Sequence, residues 1–352
     1  QLDPVDGTYV LDMAAGGSAK TITQDVAGLA SGDVVFAALR VAGDATQVVT
    51  SILDAEAMLP AAVSLGAYAV VDAVSSASVD VVSAATERWD ENRVEVGGRA
   101  SAPLLGNRVG IGVQRSQEND WLSHTLLLST SRELFQRNTV VSAGYAFTNN
   151  RVGRAMDPGF ERSLAVHAME AAVSQLLDPV TRGGLAYTFQ GSAGFQSSPY
   201  RYVAASDGST LAERHPDTRK RHALSGFLMR SLAAPVSLRL GYRLYRDDWG
   251  IWSHTASIRM VYAITERVHT AVDGRYYIQN KADFYRGVYP TSFRYMSGDR
   301  ELSTFWDVGG GGEVAVQLGP VKLDGKLSAI RYRFRNFPAL SERLALLVGA
   351  GA

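Results

Sequence analysis

The chain has no cysteine, which removes disulfides, thiolate metal sites, iron–sulfur clusters and cysteine nucleophiles in one step. It has no excess of either charge. The 35 basic and 35 acidic side chains leave a formal net charge of zero and a pI near 7.2, whereas a nucleic-acid binder normally carries a basic excess. No uninterrupted apolar run reaches about 18 residues, so no transmembrane helix can be drawn. Proline is sparse, at 11 residues of 352. The chain opens Gln1-Leu2-Asp3-Pro4 with no initiator Met, basic n-region or apolar h-region, as expected of a mature exported chain or a fragment. What is present, 34 glycines, 15 tyrosines and 46% hydrophobic residues at a mean hydropathy of −0.04, leans towards strand.

Periodicity sharpens that leaning. Val236, Leu238, Leu240, Tyr242 and Leu244 alternate with Ser237, Arg239, Gly241, Arg243 and Asp247, a period of two that predicts a strand with one apolar and one polar face. Trp252, Ala256, Ile258, Met260, Tyr262 and Ile264 stand likewise against Ser253, Thr255, Ser257 and Arg259. Val268, Val272, Tyr276 and Ile278 stand against His269, Asp273, Arg275 and Gln279. The same pattern predicts about sixteen strands, with fourteen as the alternative count. They fall near residues 32–43, 46–57, 60–74, 90–103, 107–116, 120–132, 137–150, 162–177, 180–196, 218–233, 235–247, 250–264, 266–280, 299–318, 320–335 and 339–350. Most run 10 to 15 residues, long enough to cross a bilayer at a tilt.

The connections alternate in length. Short turns near Met58-Leu59, Leu104-Leu105-Gly106, Asp178-Pro179, Ala233-Ala234, Thr265 and Leu318-Gly319 alternate with longer polar segments at 75–89, 151–161, 197–217 and 281–298. Short turns at one end and long loops at the other predict an all-β, transmembrane, antiparallel up-and-down barrel in a bacterial outer membrane, with periplasmic turns, extracellular loops and periplasmic termini. A large soluble β-sandwich would alternate too, but its apolar faces would not stay free of charge over about ten residues with aromatics near the segment ends. Residues 1–30 show no strand pattern and are expected to form a periplasmic tail or plug, leaving 31–352 as the barrel.

Several phrases resemble a family of uncharacterised bacterial proteins, the DUF3570 family. They include Tyr245-Arg246-Asp247-Asp248-Trp249-Gly250-Ile251 with His254-Thr255, Arg275-Tyr276-Tyr277-Ile278-Gln279 leading to Ala282-Asp283-Phe284-Tyr285, and Ser297-Gly298-Asp299-Arg300-Glu301-Leu302-Ser303. Upstream, Ser116-Gln117-Glu118-Asn119-Asp120-Trp121-Leu122-Ser123, Asn138-Thr139, Ser198-Pro199-Tyr200 and Glu213-Arg214-His215-Pro216-Asp217-Thr218-Arg219 also match. The resemblance spans about residues 60 to 335 and implies an outer-membrane β-barrel with no established activity. Relatives are often associated with a small lipoprotein, a thioredoxin-like protein and an FMN transferase, which implies a lipoprotein or another envelope protein as partner. Two departures are visible. Asp72-Ala73-Val74-Ser75-Ser76-Ala77-Ser78 stands where the family tends to show Asp-Ala-x-Ser-Gly-Ala-Thr-Pro, and the chain stops at Gly351-Ala352 rather than on the usual terminal aromatic residue.

On this strand map Asp120, Asp247, Asp248, Asp283 and Asp299, with Glu301, gather at the long-loop end and form a candidate calcium site, because hard cations favour carboxylate and carbonyl oxygens. The plainer reading pairs these carboxylates with Arg246, Arg286, Arg294 and Arg300. It is preferred because calcium needs roughly 6 to 8 oxygens and no compact loop spacing supplies them. The inward faces are predicted to carry Arg99, Arg108, Arg182, Arg239, Arg243, Arg259, Arg275, Lys322, Lys326 and Arg343 against Glu95, Asp247, Asp273, Asp307, Glu313 and Asp324. An open lumen of this composition predicts a weak anion preference, while charges of both signs could instead pair into ladders that close it. Gly309 to Gly312 fall within a strand and suit curvature or a close neighbour better than a phosphate.

Catalysis finds little support. Ser123-His124 and Ser253-His254 are adjacent on strands, so their side chains point to opposite faces and cannot act as nucleophile and base. Ala15-Gly16-Gly17-Ser18-Ala19-Lys20-Thr21 lacks the Gly-Lys dipeptide of a phosphate loop. The six histidines, His124, His167, His215, His222, His254 and His269, form no helical metal pair. The sequence thus predicts a non-enzymatic barrel without a resident cofactor, embedded among outer-membrane lipids and lipopolysaccharide. It would act as a diffusion pore or as the membrane part of an envelope complex, the alternative being a closed scaffold.

Overall fold

The computed structural model describes residues 2–3, 8–9, 34–42, 46–76, 89–155, 157–319 and 321–351. The expectations for a phosphate-loop-like 15–21 and for most of the 1–30 segment lie outside these residues. Within that segment a short ladder pairs β1 (Leu2–Asp3) with β2 (Thr8–Tyr9).

The rest is one antiparallel ring. In chain order it contains β3 (Val34–Ala42), β4 (Thr46–Leu59), β5 (Val63–Ser76), β6 (Trp89–Leu104), β7 (Asn107–Gln117), β8 (Trp121–Leu134), β9 (Thr139–Val152), β10 (Arg162–Asp178) and β11 (Thr181–Gly194). A small hairpin of β12 (Tyr202–Ala204) and β13 (Thr210–Ala212) then leaves the wall. The ring resumes with β14 (Thr218–Ala233), β15 (Val236–Asp247), β16 (Trp252–Ala263), β17 (Val268–Gln279), β18 (Phe305–Leu318), β19 (Val321–Phe334) and β20 (Glu342–Gly351). Each strand pairs with its neighbour in sequence, apart from the excursion of β12 and β13, and β20 pairs with β3 to close the circle. With strands about 4.8 Å apart and tilted by about 40°, such a ring is about 30 Å across between backbones.

The alternation read from sequence sets the two faces. On β15 the odd residues share the side of buried Asp247, and on β16 Thr255, Ser257 and Arg259 share the side of Ser253, which is 2% exposed. That side faces the lumen. The other side carries Leu240, Tyr242, Ile258, Met260, Val272, Val314 and Leu327, all large, apolar and exposed.

The turns at one end are tight. Leu105 and Gly106 both have positive φ, 51° and 78°, as a two-residue hairpin turn requires. The β4–β5 connection is a one-turn 3₁₀ segment at Pro60–Ala62, slightly later than the Met58-Leu59 position the pattern suggests. The expected strand at 299–318 begins only at Phe305. Asp299 accepts a hydrogen bond from the Glu301 amide and caps a 3₁₀ turn at Arg300–Leu302, so residues 299–304 belong to the loop.

Gly311 is constrained by its neighbours. A Cβ there would lie 2.8 Å from the Leu327 carbonyl oxygen and would collide with the Ser328 hydroxyl, whereas one on Gly312 would meet nothing nearer than the Ala271 carbonyl oxygen at 3.8 Å. The four-glycine run therefore serves close strand approach. Replacing Gly311 with Val is expected to destabilise the barrel by about 1–3 kcal/mol, read as a lower temperature for loss of the compact band on unheated gels, while Gly312→Ala should leave that temperature unchanged.

Candidate functional site

Two long loops, after β11 and after β17, fold together into a cap. Backbone bonds join the loop after β11 to the loop after β17: the Arg214 amide donates to the Met296 carbonyl (2.9 Å), the Met296 amide donates back (2.7 Å), and the Tyr289 amide donates to Ala204 (2.9 Å). Val203, Tyr289 and Met296 form a small apolar core between the two loops. A larger core of Trp249, Ile251, Tyr285, Leu302, Phe305, Phe334 and Phe337 seats them on the rim of β15 to β20. On the other side Tyr200 donates its hydroxyl to Asp120, at the β7–β8 turn.

A buried charge cluster holds the cap. Both Glu213 and His215 are almost wholly buried. One Glu213 oxygen accepts from the Ser297 hydroxyl (2.7 Å) and the Gly298 amide (3.1 Å). The other accepts from the Ser198 amide (3.1 Å) and Arg201 (3.4 Å). Arg201 also meets Asp299 at 3.1 Å. His215 donates from Nδ1 to the Gln196 carbonyl (2.9 Å) and packs its ring on Trp249. Burial alone pushes the Glu213 carboxyl up, but His215, Arg201 and the hydrogen bonds outweigh it and hold it below the ordinary carboxylate range. Asp299 moves the other way, raised by burial and by the Glu213 charge despite Arg201.

The Tyr245-to-Ile251 phrase builds the seat for this cap. Asp247 accepts from the Trp249 and Ile251 amides at 3.1 and 2.9 Å, closing a tight turn at the end of β15. Gly250 takes φ +88°, and a Cβ on it would collide with the Asp283 carboxylate. Arg219 donates to Asp247 at 2.9 Å and lies 4.1 Å from the Trp249 ring centroid.

These contacts settle where the calcium candidates go. Asp247 serves Arg219 and its own turn, Asp248 accepts from the Lys220 amide (2.9 Å), Asp283 lies against Gly250, Asp299 pairs with Arg201 and Asp120 accepts from Tyr200. The five therefore do not converge. Among the described residues no group of three or more acidic, His or Cys side chains is placed to hold a metal ion. Of the expected arginines, Arg300 meets Glu301 at 3.8 Å, while Arg246, Arg286 and Arg294 lie over the rings of Trp252, Phe293 and Tyr295.

Below the cap, all eleven residues singled out as lumen-lining share the inward face: Arg99, Arg108, Arg182, Arg239, Arg243, Arg259, Asp273, Arg275, Lys322, Asp324 and Lys326. Ion pairs form, and they run along the wall. Arg259 reaches Glu313 two strands away at 2.8 Å and Asp273 at 3.6 Å, and Arg275 reaches Asp307 at 3.4 Å. Arg99 forks onto Asp54 at 2.8 and 2.7 Å and touches Glu56 at 3.3 Å. Arg93 bonds Asp72 at 2.7 Å.

The charges are unevenly spread. The inward faces of β11, β14 and β15 carry Arg182, Arg219, Arg221, Arg239 and Arg243 against Asp247, while β4 to β6 present Asp54, Glu56, Asp72 and Glu95 against Arg93 and Arg99. In the ring order β14 and β15 stand eight places from β4 and β5, so a basic arc faces an acidic one across the lumen. Arg239 lies over the Phe227 ring (4.9 Å) and Arg243 over Tyr245 (5.6 Å), contacts that hold guanidinium groups in place without neutralising them. Asp54, Glu56, Asp72 and Arg93 are absent from the residues assigned inward from sequence, although the period-two pattern of β4, β5 and β6 could have found them. The Arg201, Glu213 and Ser297 cluster offered no periodic signal, being made by two loops far apart in the chain.

A family model described as a protein of unknown function (DUF3570) matches residues 5–164 and 160–334. The chain belongs to the DUF3570 family. No curated protein matches it. Among solved structures, a bacterial polysaccharide outer membrane secretin superposes with a TM-score of 0.52 at 8% identity, covering 91% of this chain and 97% of that one. Pseudomonas aeruginosa OccK5 (OpdH) gives 0.47 at 9% identity, covering 92% and 96%. The siderophore receptor PirA from Acinetobacter baumannii gives 0.48 at 10% identity, covering 86% of this chain and 52% of the receptor. At such identities the secretin likeness shows the fold alone.

In this DUF3570 protein the cap depends on Glu213. Glu213→Gln leaves Arg201 buried against a weakened partner, a loss of about 3–5 kcal/mol by analogy with broken buried pairs, and should make residues 195–217 open to limited proteolysis. Because the folded carboxyl titrates below its unfolded range, the stability it supplies is complete at neutral pH and is lost only as pH falls towards the lowered folded value. The raised Asp299 opposes loss in mild acid. Protection of the wild-type loops at about pH 5 should therefore be no lower than at about pH 7 and fall only in stronger acid.

Proposed function

We propose that the protein is a hydrophilic channel of the bacterial outer membrane, with short turns periplasmic, long loops extracellular and the loop cap narrowing the outer mouth. The observation that carries this reading is that charged side chains midway down the lumen keep contact with water: Arg275, Arg99 and Arg259 have side chains 41%, 37% and 33% exposed. A barrel filled by its own side chains would bury them. The ladders that form lie against the wall, so they line the lumen rather than cross it. Outside, the step from His254 to Ile264 covers about 25 Å along a tilted strand, the height of the apolar band of a bilayer-spanning barrel.

The opposed arcs would set up a field across the lumen, and the basic excess on β11 to β15 favours small anions and zwitterions. The second reading, a closed scaffold for a lipoprotein or periplasmic partner, draws on the cap, whose apolar cores and backbone stitching resist displacement. A hydrolase draws on nothing in the wall. Ser123 and Ser253 are buried on the inward face at 4% and 2% exposure, and the His beside each lies on the outward face.

Planar-bilayer recording separates the two readings. The channel predicts discrete conductance steps with anions favoured, and the preference should weaken or invert in the double variant Arg239→Glu, Arg243→Glu. Silence from protein that migrates as a compact, heat-modifiable band would overturn the channel and leave the scaffold.

A further inference from the structure

Four of the six histidines occupy the outward face, where a barrel wall has no need of them: His124 on β8, His167 on β10, His222 on β14 and His254 on β16. All four strands descend from the long-loop end, and the spacing between the histidines is regular. On β9, His124 is opposite Asn149 and His167 is opposite Phe147. On β11, His167 is opposite Gly191 and His222 opposite Phe189. On β15, His222 is opposite Arg246 and His254 opposite Leu244. Each successive histidine thus steps two residues towards the short turns for every two strands crossed.

That step, about 6.6 Å along the strand for about 9.6 Å across, is the offset produced by a tilt of about 35°. The pairing line climbs in the same direction: from Glu170, midway along β10, it passes Thr188, Ala223 and Tyr245 and arrives at Ser253, beside the long-loop end of β16. Tilt and step cancel, so the four rings stand at one height, about 12 Å apart.

Three of them repeat one geometry. The Tyr145 hydroxyl lies 2.8 Å from His167 Nδ1, Tyr187 lies 2.7 Å from His222 Nδ1, and Tyr242 lies 2.6 Å from His254 Nδ1. Ring centroids are 6.1, 6.2 and 6.1 Å apart. In every case the tyrosine sits two residues below the position opposite the histidine. A tyrosine hydroxyl donates only to an unprotonated Nδ1, and in that neutral tautomer Nε2 carries the proton and is the ring's single donor. Arg115 is opposite His124 and Arg246 opposite His222, with Arg151 and Lys220 outward towards the loops. The acidic groups at this level are few: Glu161 meets Arg151 at 3.8 Å and Asp248 accepts from the Lys220 amide. Beneath the belt the outer face is apolar.

We propose that this belt binds the phosphorylated headgroups of the outer-leaflet glycolipid, the imidazole N–H groups donating to phosphate oxygens and the basic residues above supplying the charge. The assignment rests on the membrane orientation proposed above and is independent of conduction.

The test measures binding of bis-phosphorylated lipid A to the purified full-length barrel in detergent by native mass spectrometry, with dephosphorylated lipid A as the control. The triple variant His167→Phe, His222→Phe, His254→Phe should bind the phosphorylated lipid at least tenfold more weakly and the dephosphorylated lipid unchanged. Tyr145→Phe, Tyr187→Phe, Tyr242→Phe, which keeps every ring and removes only the hydroxyls, should show an intermediate loss and serves if the first variant does not fold. Wild-type binding that ignores the phosphates, or folded variants that bind lipid A as the wild type does, would overturn the proposal. A wild-type protein that is silent in bilayers yet binds phosphorylated lipid A selectively would support this site while overturning the channel.

Discussion

The structure depends on one constraint, that every backbone N–H and C=O of a strand wall must find a partner when no water is at hand to supply one. An open sheet leaves two unpaired edges, and closing β20 onto β3 removes both. Closure then imposes the rest. A closed ring of sixteen strands is too wide for its own side chains to fill, so one face of every strand borders a lumen and the other borders whatever surrounds the barrel. Period-two alternation is the only pattern that serves both. A chain that averages an apolar outer surface with a charged inner one arrives at a neutral net charge and a hydropathy near zero, with no segment that resembles a membrane helix.

The wall was legible in sequence for that reason. Arg239, Arg243, Arg259 and Arg275 fall on the inward face by sequence alone, because a residue's parity along a strand fixes its face. Pairing geometry across strands was not legible. That Arg99 forks onto Asp54, or that the histidines of four strands share a height, depends on register, which period two leaves open to any even shift. The cap was legible only as motif. Asp247-Asp248-Trp249-Gly250 and Ser297-Gly298-Asp299 stand out as phrases, and their carboxylates suggest either a shared cation site or, as preferred, pairing with loop arginines, with nothing in the pattern to say which partners each would take. In the structure Asp247 serves the amides of its own turn and Arg219, Asp248 the Lys220 amide of the neighbouring strand, and Asp299 the Glu301 amide and Arg201, because turn formation and loop anchoring use the same oxygens a metal would. The pattern of residues 299–304 predicts strand for a related reason: it continues that of β18, and the Asp299 cap that stops it is a side-chain effect.

Rigid and permissive regions are divided along the barrel axis. Near the long loops, inward side chains are buried beneath aromatic cores, and the Glu213 cluster holds together two segments more than 80 residues apart. Isolated charges there would be costly, and dense hydrogen bonding around Glu213 offsets that cost. Below, the wall arginines Arg99, Arg259 and Arg275 keep about a third or more of their side chains exposed, and their ion pairs lie flat. In the channel proposed above, the cap is the element that sets access, and the wall below it the element that discriminates by charge. The outer His–Tyr belt marks a third level, where the apolar surface gives way to basic residues.

The absence of native cysteine makes the central claim, a water-filled lumen inside an apolar outer wall, open to direct measurement. Single cysteines placed at Ser257, Arg239 and Arg275 on one face, and at Ile258, Leu240 and Tyr276 on the other, can be challenged in membranes with a small, charged, membrane-impermeant thiol reagent. A lumen open to water predicts rapid labelling of the first three and little or none of the second three. Equal labelling of both sets, or protection of the inward set, would contradict it.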